Sequence, residues 1–140
     1  MISEPNADQT APLPRPASIV AIAGLLALEA AGVLAAAGWY LSSLGAPGPV
    51  PLGGRIFMLA LLVGAAVWQA AVALNVFRGR PWTRAAALVW QVFQVIFAVP
   101  LLGGATTLAG IGLLVPAGAI IVLLFDPRVT AFYGDRAERS

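Results

Sequence analysis

The sequence predicts an all-α integral membrane protein: a four-helix, up-and-down bundle with both termini on the cytoplasmic side. Three observations lead there. Of the 140 residues, 60% are hydrophobic and only 10% are charged, with a mean hydropathy of +0.90. A water-soluble domain carries roughly 25% charged residues, so this chain cannot cover a globule with polar surface. The apolar residues are gathered into four long runs. Each is close to the about 20 residues that a helix rising 1.5 Å per residue needs to cross a bilayer, and none alternates like a barrel strand. Finally, when the runs are threaded up and down, Arg15, Arg78, Arg80, Arg84, Arg128, Arg136 and Arg139 fall on one side and Arg55 alone on the other. That bias orients the chain with the arginine-rich side in the cytoplasm.

The elements follow in order. Residues 1–17 read as a polar cytoplasmic tail without regular structure of its own, because Pro5, Pro12, Pro14 and Pro16 interrupt it and Glu4, Asn6 and Asp8 keep it in water. Residues 18–125 form the membrane domain, with spans at about 19–44, 55–78, 82–102 and 107–125. A Pro/Gly loop from Gly45 to Gly54 joins the first two. Between the second and third lies a basic turn, Arg78 to Arg84, in which Gly79 suits a helix C-terminus and Pro81 the first turn of the next helix. Pro100 and Gly103-Gly104 end the third run, and Thr106 or Thr107 is placed to cap the fourth, where Pro116 predicts a kink. Residues 126–140 are a short cytoplasmic juxtamembrane segment. Asp126 and Pro127 can start a helix there, with Phe132 and Tyr133 at headgroup level. Trp39 and Tyr40 are expected at the outer interface, and Trp82, with Arg78, Arg80 and Arg84, at the inner one. Ala35-Ala36-Ala37 has the small residues of a signal-peptide cleavage site, but the long mixed-charge tail and Glu29 within the apolar stretch favour an uncleaved span.

The residue types exclude several functions. The chain has no Cys and no His, which removes disulfides, thiolate metal sites, iron–sulfur clusters, ordinary haem ligation and Ser–His chemistry. A formal charge of +2 placed at helix ends gives no nucleic-acid interface. The partners expected are membrane lipids and other membrane-protein subunits. No cofactor is expected and no convergent catalytic set is visible, so the chain reads as a non-enzyme.

Polar side chains within the spans are few. Glu29 is the sole carboxylate there, midway along the first helix. Gln69 lies in the second, and Gln91 and Gln94, three apart, share one face of the third. A carboxyl at midplane must be neutral or paired and must face protein or water, so Glu29 is expected within reach of at least one of these amides, which can donate to it. It then serves as interhelical glue, as a proton or cation site, or as a contact to another subunit. Ala23, Ala27, Ala31 and Ala35 form a ridge of small residues at four-residue spacing on the first helix. Such ridges let helices approach closely, and packing within the bundle is the first expectation for it.

The segments Gly79-Arg80-Pro81-Trp82-Thr83-Arg84 and Leu124-Phe125-Asp126-Pro127-Arg128, with the four runs around them, resemble small four-span integral membrane proteins of actinobacteria. Among these are accessory subunits of respiratory complexes, including the cytochrome bcc–aa3 oxidase assembly. The resemblance implies a cofactor-free accessory or scaffold subunit in the plasma membrane, packed on the outside of a catalytic core. Ala27-Leu28-Glu29-Ala30 resembles the place of the essential Glu in the first helix of the small multidrug resistance family, which implies proton-coupled export through Glu29. That second resemblance stops at Glu29: those proteins are shorter, and several have a weak charge bias.

Overall fold

The computed structural model describes residues 15–138, with the side chains of residues 136 and 137 outside the description. The polar tail up to residue 14 and Arg139 therefore lie outside the described residues. The regular elements are α1 (Ala17–Ser42), α2 (Leu52–Phe77), α3 (Trp82–Ala98), two short 3-10 turns (Val99–Leu102 and Gly104–Thr106), α4 (Thr107–Leu124) and α5 (Pro127–Ala137). Four helical segments are long and apolar enough to cross a membrane: Ala17–Ser42, Leu52–Phe77, Trp82–Leu102 and Gly104–Leu124. They make an all-α, four-helix bundle of a multi-pass membrane protein.

The distribution of side chains is that of a protein dissolved in lipid. Leu28, Leu34, Phe57, Val67, Phe93, Phe97, Leu108 and Val122 are exposed, whereas Gln69, Gln91 and Gln94 are buried. Large apolar side chains face outward because acyl chains solvate them as well as a core does, while amides must find partners inside. On α3 the inward stripe is Thr83, Ala87, Gln91, Gln94 and Ala98, spaced at the helical repeat. On α2 it is Ala66, Gln69, Val72, Ala73 and Val76.

The connections show how the sequence sets the helix ends. At the end of α1, Ser42 Oγ donates to Trp39 O at 2.7 Å and Ser43 Oγ to Tyr40 O at 2.9 Å, satisfying last-turn carbonyls. α2 begins at Leu52, directly after Pro51. This precedes the expected residue 55, since Pro51 supplies an extended entry and Gly53 and Gly54 are accepted in a first turn. Arg55 Nη1 donates to Leu44 O at 2.6 Å and its Nη2 to Ala46 O, so the lone arginine of this end staples the loop. At the other end, Gly79 takes φ 72°, with Arg80 N donating to Asn75 O at 3.0 Å. This left-handed residue reverses the chain after α2. The third span runs to Leu102, its last turn, Val99–Leu102, being a 3-10 turn that contains Pro100. Thr106 and Thr107 do not cap α4 with their side chains. Their hydroxyls donate backwards to Gly103 O at 3.1 Å and Gly104 O at 2.9 Å, binding the preceding turns instead.

The two ends are distinguished by charge. Arg15 lies 4.5 Å from the Phe77 ring centre, and Arg84 lies 5.9 Å from that of Phe125 and donates to Thr130 Oγ1 at 3.3 Å. The start of α1, the end of α2, the start of α3 and the end of α4 thus share one end. There α5 starts with Asp126 Oδ1 accepting from Arg128 N at 2.8 Å and tucks under the bundle. Val129, Phe132 and Tyr133 are buried together with Ile19, Ile22, Val76, Ala87 and Leu124. The aromatic pair therefore belongs to the protein core and does not lie open at the headgroups. Tyr133 Oη is 3.3 Å from the buried Thr83 Oγ1. Because Thr83 Oγ1 gives its hydrogen to Arg80 O at 2.6 Å, the tyrosine is the donor of this pair.

Candidate functional site

Above the apolar core, one carboxyl and three amides meet between the helices. Glu29 lies midway along α1, half-buried beside the inward-facing Leu26 and Ala30. Its Oε2 accepts from Gln69 Nε2 of α2 at 2.6 Å and from Gln91 Nε2 of α3 at 3.1 Å. Its Oε1 accepts from Gln94 Nε2 at 2.9 Å. Gln94 Nε2 also donates to Leu113 O of α4 at 3.0 Å. All four spans are tied at this level by side chains whose alternative is acyl chain.

All three sequence-selected amides therefore reach the carboxyl. The reason is register: Gln69 sits on the inward stripe of α2, and Gln91 and Gln94, one turn apart, sit on that of α3. Two further participants carry no sequence signal of their own. Trp90 Nε1 donates to Gln94 Oε1 at 3.1 Å, and Leu113 contributes only its backbone. A tryptophan in an apolar run reads as lipid-facing surface, and a main-chain acceptor has no residue type to mark it. Gln69 Oε1 and Gln91 Oε1 are buried and accept nothing from the protein.

Among the described residues, grooves open from the bundle toward the bilayer, and two of them involve α1. One, of about 640 Å³, runs between α1 and α2 and is lined by small residues, among them Ala23, Gly24, Ala27 and Ala31 of α1 and Ala66 and Ala70 of α2. The alanine ridge is thus mostly a surface feature. Ala23 is buried, whereas Ala27, Ala31 and Ala35 are exposed, because α1 turns only one edge of the ridge toward its neighbours. The second groove, of about 390 Å³, lies between α1 and α4 and has Glu29 and Gln94 in its wall beside Gly32, Ala36, Gly112 and Pro116.

The interfacial residues sit at the helix ends. Trp39 is exposed near the end of α1, with Tyr40 half-buried beside it. Trp82 is exposed at the start of α3, its ring centre 6.2 Å from that of Trp68. Arg78 and Arg80 are exposed in the turn and Arg84 is half-buried. No group of three or more metal-ligating side chains occurs among the described residues. Comparison with family models, with curated proteins and with solved structures finds no match.

Proposed function

We propose that this protein is a non-catalytic accessory or scaffold subunit of a larger membrane complex, seated in the plasma membrane with both termini in the cytoplasm. The observation that carries the reading is the groove between α1 and α2. It is apolar, open to the bilayer and lined mostly by Ala and Gly, beside Val20, Leu34, Val67, Leu74 and Phe77, a surface on which a second transmembrane helix can pack by close backbone approach. The polar cluster at Glu29 supports the same reading, since its hydrogen bonds hold the bundle together from within. The orientation rests on the arginine cluster at one end of the bundle. The choice of a respiratory oxidase as the parent complex rests on the sequence resemblance.

The test is purification of the tagged protein in nanodiscs, with and without Gly24→Leu. A Cβ at Gly24 meets nothing within 4 Å and Gly24 lines the groove, so the substitution places its added bulk there; unchanged helix content checks that the bundle is kept. The reading expects a discrete set of co-purifying membrane proteins that Gly24→Leu displaces. A protein that purifies alone, or whose partners ignore the substitution, contradicts it.

A second reading, proton-coupled transport through Glu29, is favoured by one observation: the carboxyl is half-buried and borders the groove between α1 and α4. On that reading Glu29→Gln and Glu29→Leu both abolish transport in proteoliposomes while the protein still folds.

A further inference from the structure

At the arginine-rich end of the bundle a further groove, of about 340 Å³, lies between the start of α3 and the end of α4. Its walls are Pro81, Arg84, Ala85 and Leu88 from the start of α3 and Leu124 and Phe125 from the end of α4. Positions 81, 84, 85 and 88 follow the helical repeat and so share one face. This surface is separate from the groove between α1 and α2, and the inference drawn from it does not rest on the subunit reading.

Arg84 is the charged residue of the lining, and it differs from the other arginines at this end. Arg15, Arg78, Arg80 and Arg128 are exposed, whereas Arg84 is half-buried. Its partners among the described residues are neutral: the Thr130 hydroxyl, to which Nη2 donates at 3.3 Å, and the Phe125 ring, whose centre is 5.9 Å away. A guanidinium carries five N–H donors, so a parallel pair remains for an anion with two oxygens, the arrangement in which arginine holds phosphate. The chain on either side of the groove adds positive charge. Arg80 directly precedes Pro81, and Arg128 follows Phe125 by three residues. The nearest carboxylate in the chain is Asp126, whose Oδ1 is engaged with Arg128 N at 2.8 Å as the cap of α5. Three arginines against one aspartate leave the mouth of the groove positive.

The rest of the lining is apolar and runs away from that charge. Leu88 lies four residues beyond Arg84, about 6 Å deeper along α3 at 1.5 Å per residue. Ala85 and Phe125 are exposed and Leu88 is half-buried, so the walls below Arg84 are open to acyl chains. The groove thus joins an anion contact at headgroup level to an apolar track leading into the bilayer, and one amphiphile satisfies both. Free phosphate or a phosphorylated peptide would engage the arginine and leave the apolar track uncovered. A zwitterionic headgroup would bring its own cation among Arg80, Arg84 and Arg128, so the headgroup that fits carries a net negative charge. Basic pockets between transmembrane helices are a recurrent place for such lipids.

We propose that this groove binds one anionic phospholipid. Its phosphodiester sits on the Arg84 guanidinium, and one acyl chain lies along Ala85, Leu88 and Phe125.

The test is native mass spectrometry of the full chain in a non-ionic detergent, titrated with dioleoyl phosphatidylglycerol or dioleoyl phosphatidylcholine. Three variants separate the groove from the general field of the arginines. Arg84→Gln removes the charge from the lining, and Ala85→Leu fills the groove while keeping that charge. Arg15→Gln removes one charge from the same end of the bundle, beside Phe77 at the end of α2. The proposal expects the first phosphatidylglycerol to bind at least about five-fold tighter than phosphatidylcholine, the worth of one basic residue near an anionic headgroup. It expects Arg84→Gln and Ala85→Leu each to abolish that preference at unchanged helix content, and Arg15→Gln to leave it in place. Glycerophosphoglycerol, the same headgroup without chains, should not displace the lipid at equal concentration. Equal affinity for the two lipids, a preference that survives Arg84→Gln or Ala85→Leu, an equal loss in Arg15→Gln, or displacement by the chainless headgroup overturns it.

Discussion

Trp90 Nε1 donates to Gln94 Oε1 at 3.1 Å, and this one bond orients the most heavily used amide in the protein. With Oε1 committed to the indole, Gln94 has only Nε2 to turn toward Glu29 Oε1 and Leu113 O. A flipped amide would place an acceptor against the carboxyl and lose three hydrogen bonds together. Trp90 is therefore a positioning residue for the cluster.

Trp90→Phe keeps an aromatic ring but removes the donor. We expect the unfolding free energy in mixed micelles to fall by about 1 kcal/mol, the usual worth of one hydrogen bond. The Gln94 side-chain amide signals in an NMR spectrum should broaden or double as its orientation is released. A single sharp, unshifted pair of amide signals would show that Trp90 has no such role.

Gly110 and Gly112 are two residues apart near the start of α4, yet they should respond oppositely to alanine. A Cβ at Gly110 would stand 3.0 Å from the carbonyl carbon of Leu101 and 3.1 Å from Ala98 O, both backbone atoms, whereas one at Gly112 meets nothing within 4 Å. Gly110→Ala must push α4 off the 3-10 turn and should cost about 1–3 kcal/mol. Gly112→Ala should be neutral or stabilising by up to about 1 kcal/mol through helix propensity. Unfolding titrations of the pair decide this; equal responses would mean that the contact at Gly110 is not tight.

The bundle and its polar centre were legible in the sequence for the same reason. In a chain so apolar, each intramembrane polar side chain is conspicuous, and burying Glu29 forces the helix faces that carry Gln69, Gln91 and Gln94 to converge on it. The grooves were not legible, because Ala27 and Ala31 look alike whether they face a neighbouring helix or the bilayer. The burial of Phe132 and Tyr133 was equally hidden. An amphipathic segment beside a membrane reads as interfacial, and only the position of Thr83 and Val76 beneath it turns it into a lid on the core.

The arginine distribution predicts the sidedness of the chain. With no native cysteine, single-cysteine variants in the 43–51 loop and after α5 can be labelled without background. An impermeant thiol reagent added to intact cells should modify the loop position and spare the position after α5. Labelling after α5, with the loop protected, would invert the topology.

The central structural claim is that the Glu29 carboxyl and its amides clamp the four helices together, and a double-mutant cycle on Glu29 and Gln69 tests it most directly. These residues meet at 2.6 Å from 40 positions apart in the chain. Unfolding free energies are measured for the native protein, Glu29→Leu, Gln69→Leu and the double variant under identical lipid conditions. If the clamp holds, the double variant loses less than the sum of the single losses, with a coupling of about 0.6 kcal/mol or more and no greater than about 1.7, the mean and the maximum for interhelical hydrogen bonds within membranes. Losses that add to within about 0.3 kcal/mol would be the behaviour of independent sites and would contradict it.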